Sequence, residues 1–103
     1  MKDSVSIDGV EYVRRKEPSA IRIVILQRGW VVVGDVSADG DEVTVSRASV
    51  VRRWGTTKGL GEIAASGPTS ATVLDPVGVV RVHRLSIVAS IDCEVSQWTA
   101  KLL

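Results

Sequence analysis

Valine stands where small proteins usually place aromatic rings: the chain has 19 valines and no phenylalanine. A β-branched side chain is stiff at χ1 and crowds the preceding turn of a helix, whereas on a pleated surface it packs well. An interior filled this way favours sheet over helix. The order of the residues agrees. Ile21, Ile23 and Ile25 alternate around Arg22 and Val24, and Trp30-Val31-Val32-Val33-Gly34-Asp35-Val36 follows an Arg28-Gly29 turn, which predicts two antiparallel neighbours. Apolar residues make up 45% of the 103 and charged residues 24%, a balance of folded rather than disordered chains. At this length one domain with one core is expected, near the size at which oligomerisation often helps.

Turn signals divide the rest. Asp8-Gly9 sits between the alternating apolar positions of 5–13, the strongest short hairpin signal, and predicts an N-terminal β-ribbon. Arg14-Arg15-Lys16-Glu17-Pro18-Ser19 reads as a loop. Ala38-Asp39-Gly40-Asp41 turns the chain into Val43-Thr44-Val45-Ser46, which Ser49-Val50-Val51-Arg52-Arg53-Trp54 extends or follows. Leu60, Ile63 and Ala64 have helical spacing over one or two turns, ended by Gly67-Pro68. Asp75-Pro76-Val77-Gly78 is expected to be a turn, before two strands or one bent strand over 79–83 and 86–91. The end of the chain reads as a helical turn docked through Trp98, or as a frayed tail. The expectation is mainly β: a small barrel of 1–103, with an N-terminal hairpin and loop (1–19), a glycine-rich insertion carrying one short helix (52–75) and a C-terminal tail (94–103).

Net charge is +1, yet 43–91 holds 6 basic against 2 acidic side chains, while 1–42 holds 6 against 8 and 92–103 holds 1 against 2. The basic middle is compatible with an anionic partner. Cys93 is alone, so no intramolecular disulfide forms, and no Cys/His cluster suggests zinc. No secretory leader opens the sequence and no apolar run is long enough to span a bilayer, so the expectation is a cytoplasmic protein without a membrane partner.

The sheet pattern is broken between residues 52 and 61, where basic, aromatic, hydroxyl and glycine residues crowd together. Gly55, Gly59 and Gly61 leave amides unobstructed, Arg52, Arg53 and Lys58 bring charge, and Thr56 and Thr57 bring hydroxyls. A helix start near Leu60 aims its dipole at the same place. This is the make-up of an anion site, although neither the Walker order nor a dinucleotide fingerprint is present. The bland reading is a long surface loop that needs glycine for positive φ. Trp54 is suited to stacking a base and equally to plugging the core, and the core is the preferred expectation. Trp30 is expected in the core or in a subunit contact, and Val32 beside it in an exposed apolar strand that a second subunit covers. A hydrolase would have to use His83 with Ser86 or Cys93 and with Asp75 or Asp92; no nucleophile elbow surrounds them, which argues against an enzyme. Asp75 is expected to bond its own turn, and Asp35, Asp39 and Asp41 lack the pattern of a calcium loop.

Two family resemblances follow from particular segments. Leu26-Gln27-Arg28-Gly29-Trp30-Val31-Val32-Val33-Gly34-Asp35-Val36 resembles the first signature of Sm-like proteins, and 82–87 occupies the place of the second without its Arg-Gly. This resemblance implies an SH3-like or Sm-like barrel topology and leaves out RNA specificity. The pattern Arg-Arg-Trp-Gly-Thr-Thr-Lys-Gly-Leu-Gly, then Gly-Pro-Thr and Thr-Val-Leu-Asp, is similar to a family of small, uncharacterised proteins encoded by bacteriophages and prophages. It implies an accessory protein of a phage. Taken together, the expectation is a non-enzymatic homo-oligomer with no cofactor, binding a nucleotide immune signal or a nucleic acid. Arg52, Arg53, Lys58 and Arg81 would neutralise phosphate, Trp54 would stack a base, and the amides of Gly55 to Gly61 with Thr56 and Thr57 would complete the cradle. The alternatives are an inhibitor that docks on a host defence protein through the same loop, and a virion component.

Overall fold

The alternating valines and isoleucines do build a sheet, and its three central strands carry buried residues on both faces. In the computed structural model, residues 20–102 are described in full, together with the backbone of β1 (Val5–Ile7) and β2 (Val10–Tyr12). These two strands pair antiparallel, Val5 opposite Tyr12 and Ile7 opposite Val10, so the N-terminal ribbon is present. Its Asp8-Gly9 turn and the 14–19 loop lie outside the described residues.

The main sheet consists of β3 (Ile21–Leu26), β4 (Val31–Asp39), β5 (Glu42–Arg53), β6 (Val73–His83) and β7 (Ile87–Asp92). Its order is β6-β5-β4-β3-β7, and every neighbouring pair is antiparallel. A helix, α1 (Leu60–Ser66), interrupts the connection from β5 to β6. A short 3-10 turn, Arg84–Ser86, joins β6 to β7, and α2 (Val95–Trp98) follows β7.

β4 and β5 are long enough to bend over on themselves, and two positions make the bend. At Gly34 a Cβ would fall 2.6 Å from the Ser46 carbonyl oxygen and 2.7 Å from Val45 Cγ1, so only glycine lets the strands approach this closely. Opposite it the register slips, and Arg47 takes φ +48°. The strained residue is fastened through two nitrogens of its guanidinium: Nε donates to Asp35 Oδ2 at 2.6 Å and Nη1 to the Thr99 carbonyl at 3.3 Å. The Asp35 hydrogen bond pushes the Arg47 pKa up.

Beyond the bend the far half of the sheet lies over the near half, and Val24, Val32, Val45 and Ala48 fill the space between. Asp41, in the β4–β5 turn, closes this end by accepting the Arg84 amide on its carbonyl at 2.8 Å and the Arg84 Nε on its carboxylate at 2.7 Å. On the opposite face Ile21, Ile23, Val33 and Val51 meet Leu60 and Ile63 of α1 and Trp98 of α2. The result is a small mainly-β, barrel-like fold.

Trp98 is the largest fully buried side chain, 0% exposed, and its Nε1 donates to the Ile63 carbonyl at 2.9 Å. Docking, not fraying, is therefore the fate of the chain end. A Trp indole suits this place because its N–H finds an acceptor at the end of a short helix.

Three expectations are corrected. Residues 75–78 are not a turn but part of β6: Pro76 is tolerated because β6 is an outer strand, and Gly78 at φ +85° lies where the register slips against Ala48. Val32 is buried in the space enclosed by the curl, since its side chain shares that face with Val24 and Val45. Trp54 is not a core plug but 44% exposed; Trp30, expected in the core or in a subunit contact, is 57% exposed, which excludes the first of the two. The volume they would have filled is taken by the folded-over valines and by Trp98.

Candidate functional site

The 52–61 segment leaves the sheet at the end of β5 and returns as α1, so its shape is set by what holds the two ends. Gly55 at φ +68° makes the exit: a Cβ there would lie 2.4 Å from the Ala71 carbonyl carbon. Two threonines then staple the exit to the start of β6. Thr72 Oγ1 donates to the Trp54 carbonyl at 2.6 Å, and Thr69 Oγ1 to the Gly55 carbonyl at 2.7 Å. Thr69 and Thr72 also bond each other, with the Thr69 amide donating to Thr72 Oγ1 at 2.9 Å. A loop rich in glycine is thus held in one shape by side chains outside it.

The helix entry is equally occupied. Thr56 Oγ1 accepts the Gly59 amide at 2.9 Å, and Glu62 Oε1 accepts the Lys58 amide at 3.1 Å and the Thr57 hydroxyl at 3.4 Å. A carboxylate in the first turn of α1 is where the helix dipole favours one. The amides at Lys58 and Gly59 therefore serve the loop itself.

The side chains of the loop are distributed unevenly. The Trp54 ring lies beside Gly59, whose added Cβ would come within 4.0 Å of Trp54 Cζ3. Arg53 and Lys58 are exposed, and neither has an ion-pair partner among the described residues. Arg52 is different: its Nη1 holds Asp75 Oδ2 at 2.9 Å across the β5–β6 pair. Asp75 thus bonds a neighbouring strand and not its own turn. Trp30, just before β4, comes to the same end of the sheet, because Val32 pairs with Val50 two residues short of Arg52.

Arg81 does not join them. It pairs with Thr44 near the other end of β6, roughly 25 Å of strand from Val73 at about 3.3 Å per residue. There it faces Glu42 at 3.5 Å and Thr44 at 3.4 Å, in a shallow notch shared with Asp41, Val82 and His83.

The residues weighed for hydrolysis are also dispersed. His83 Nδ1 accepts the Leu85 amide at 3.1 Å, and Nε2 lies 3.8 Å from Asp41. Ser86 Oγ donates to the His83 carbonyl at 2.7 Å, and Asp92 holds Arg22 at 3.2 Å. Cys93 is buried under the sheet, and loss of water around its sulfur pushes the thiol pKa up to about 12. Among the described residues no three His, Cys, Asp or Glu side chains are grouped so as to hold a metal ion, and no helix is long and apolar enough to cross a membrane.

The sequence reading missed Glu62 and the Thr69–Thr72 staple. Glu62 was visible as an acid at the third position of a helix. The staple was not, since fourteen or more residues separate each threonine from the carbonyl it caps. Compared with protein-family models and with curated proteins, the chain matches none.

Proposed function

We propose that the protein is a non-enzymatic binding module of a phage or prophage, working in the host cytoplasm, that takes a phosphate-bearing ligand on the side chains of the 52–61 loop. The ligand is a nucleotide signal or a nucleic acid. The exposed Trp54 ring beside Gly59, with the unpaired cations Arg53 and Lys58 next to each of them in the chain, carries this reading. A base stacked on an indole gains about 1–3 kcal/mol, enough to matter on a surface where each cation is worth less. Arg53 and Lys58 supply the phosphate contacts, and Arg52 joins them by exchanging Asp75 for the ligand. The phage assignment rests on the residue pattern of 52–75.

The test is titration of wild type and of the Arg52→Ala/Arg53→Ala/Lys58→Ala variant against linear and cyclic nucleotides and short RNA at two salt concentrations. Wild type should bind, more weakly as salt rises, because phosphate contacts are traded against counterions. The variant should lose binding and keep its melting temperature. Wild type that binds none of these ligands overturns the reading.

One observation favours a second reading, an inhibitor that docks on a host defence protein. The loop is already rigid, its exit and entry closed by threonines and Glu62, and it presents Trp and Arg, the residue types that anchor protein interfaces.

A further inference from the structure

Among the described residues two that are not glycine take positive φ, Arg47 at +48° and Arg28 at +68°. A side chain is uncommon in that region, where glycine sits at less cost. For Arg47 the reason is visible in the partners that fasten its guanidinium. Arg28 is exposed, and its side chain has no ion pair or hydrogen bond among the described residues. Its turn, Gln27–Gly29, is nevertheless held in one shape. The Leu26 amide donates to the Trp30 carbonyl at 2.7 Å, and Gln27 Nε2 to the Leu85 carbonyl at 3.3 Å. Two residues beyond Arg28 stands Trp30, 57% exposed. An unpaired arginine and an exposed indole in the β3–β4 turn thus repeat the pair that Arg53 and Trp54 make at the end of β5.

The two pairs share one end of the sheet but lie on opposite faces of it. Trp30 has extended backbone (φ −69°, ψ 133°) two residues before Val32, so its side chain follows the Val32 face, away from α1. The Trp54 ring lies beside Gly59 at the start of α1, on the side of Val31, Val33 and Val51. With Val32 opposite Val50, the backbones at Trp30 and Trp54 are one strand spacing and two strand positions apart, roughly 8 Å. One planar base cannot stack on both rings, whereas two bases joined through a phosphate reach one each. The nearest carboxylates do not oppose that phosphate: Asp75 is held by Arg52, and Glu62 by the Lys58 amide and the Thr57 hydroxyl.

We propose that Trp30 and Arg28 form a second half of the 52–61 site, and that its ligand is two nucleosides joined through phosphate, one base on each indole. This rests on the reading of that loop as the phosphate-binding surface, and adds to it two residues and a minimum ligand size. Arg28 meets phosphate on the Trp30 side; Arg53 and Lys58 meet it on the Trp54 side. A linear strand and a cyclic dinucleotide share this chemistry.

The experiment is calorimetric titration of the full chain with AMP, with linear diadenylate in ribose and deoxyribose forms, and with cyclic diadenylate, for wild type, Trp30→Ala, Arg28→Gln and Trp54→Ala. Adenine serves because stacking on an aromatic ring tolerates any base. All three positions are exposed, so melting temperatures should stay near wild type; Arg28→Gln removes the charge and keeps a non-glycine residue at the positive φ. Wild type should prefer at least one diadenylate to AMP by about 5-fold or more, the gain from one further stacked base. Trp30→Ala should abolish that preference, and Arg28→Gln should reduce it, more so at low salt. Trp54→Ala should weaken AMP and the diadenylates alike. Tighter binding of the linear form identifies a strand as the source, and of the cyclic form a nucleotide signal. Wild type that binds AMP as tightly as every diadenylate, or Trp30→Ala that keeps the full preference, overturns this proposal and leaves the reading of the 52–61 loop standing. Wild type that binds none of the probes overturns both.

Discussion

Replacing Trp98 with alanine should destabilise the protein far more than the same change at Trp30, although the residue type is identical. Trp98 is 0% exposed and Trp30 is 57% exposed. Truncating a buried Trp costs about 3–5 kcal/mol, the lost transfer energy plus the cavity left behind. The upper part of that range applies here, because Trp98 sits between α1 and the sheet in a core that has no other large ring to move in. For a domain of this size each kcal/mol lowers Tm by about 4–8 °C, so Trp98→Ala should melt at least about 12 °C below wild type. Trp98→Phe separates the hydrogen bond from the volume. The Ile63 carbonyl that loses the indole N–H still accepts the Gly67 amide at 2.8 Å, so the cost of the missing bond should lie near the bottom of the usual range, about 1 kcal/mol, with a comparable loss for the smaller ring. Trp30→Ala should cost less than about 1 kcal/mol. Urea denaturation followed by far-ultraviolet circular dichroism measures all three. Equal midpoints for Trp98→Ala and Trp30→Ala would refute the argument that the C-terminal segment is fastened through this ring.

The bend at Gly34 should reject any side chain, so Gly34→Ala should cost about 2 kcal/mol or more, whereas Gly40→Ala, also at a turn but with nothing within 4 Å of the added Cβ, should cost only the positive-φ penalty of about 1–2 kcal/mol; thermal melts compare the two. Ser49 is buried with a hydroxyl that has no partner among the described residues, so Ser49→Ala should be neutral or raise Tm, and a clear loss of stability would reveal a bond to that oxygen. Cys93 has its thiol pKa pushed up to about 12 by burial, from 9.0. Above pH 9 the unfolded thiol ionises while the folded one does not, so its contribution is intact below pH 9 and lost as pH rises toward 12. The fall in Tm over that window should be smaller in Cys93→Ala, and a thiol reagent at pH 8 should label wild type only after unfolding.

Much of the fold was legible because it follows from local chemistry. Stiff side chains in alternation specify strands, and Gly-Asp or Arg-Gly pairs specify where they turn. The same logic placed α1 at Leu60, Ile63 and Ala64. It failed at 75–78, where Asp, Pro and Gly spell a turn, because a proline on an outer strand surrenders no ladder bond and a glycine with positive φ absorbs a slip in register. It failed again for Trp54, since whether a ring is buried depends on which elements arrive from elsewhere to cover it.

The candidate site divides in the same way. Its residue types, the three glycines with Trp54, Arg53 and Lys58, are properties of the sequence. Which of them are free is not: Asp75 comes from β6 to hold Arg52, Glu62 closes the Lys58 amide, and Thr69 and Thr72 reach back across the insertion. Arg81 shares the charge of the others but lies along β6 at the far end of the sheet. By itself, then, the sequence determined a valine-built antiparallel sheet, its turns and the one stretch where the pattern breaks, because those depend on neighbours along the chain. Only the tertiary structure decided that the sheet folds over itself at Gly34, that Trp98 and not Trp54 fills the core, and that β6 and β7 end at its edges. Those outcomes depend on contacts between residues distant in the chain, and local preference carries no information about them.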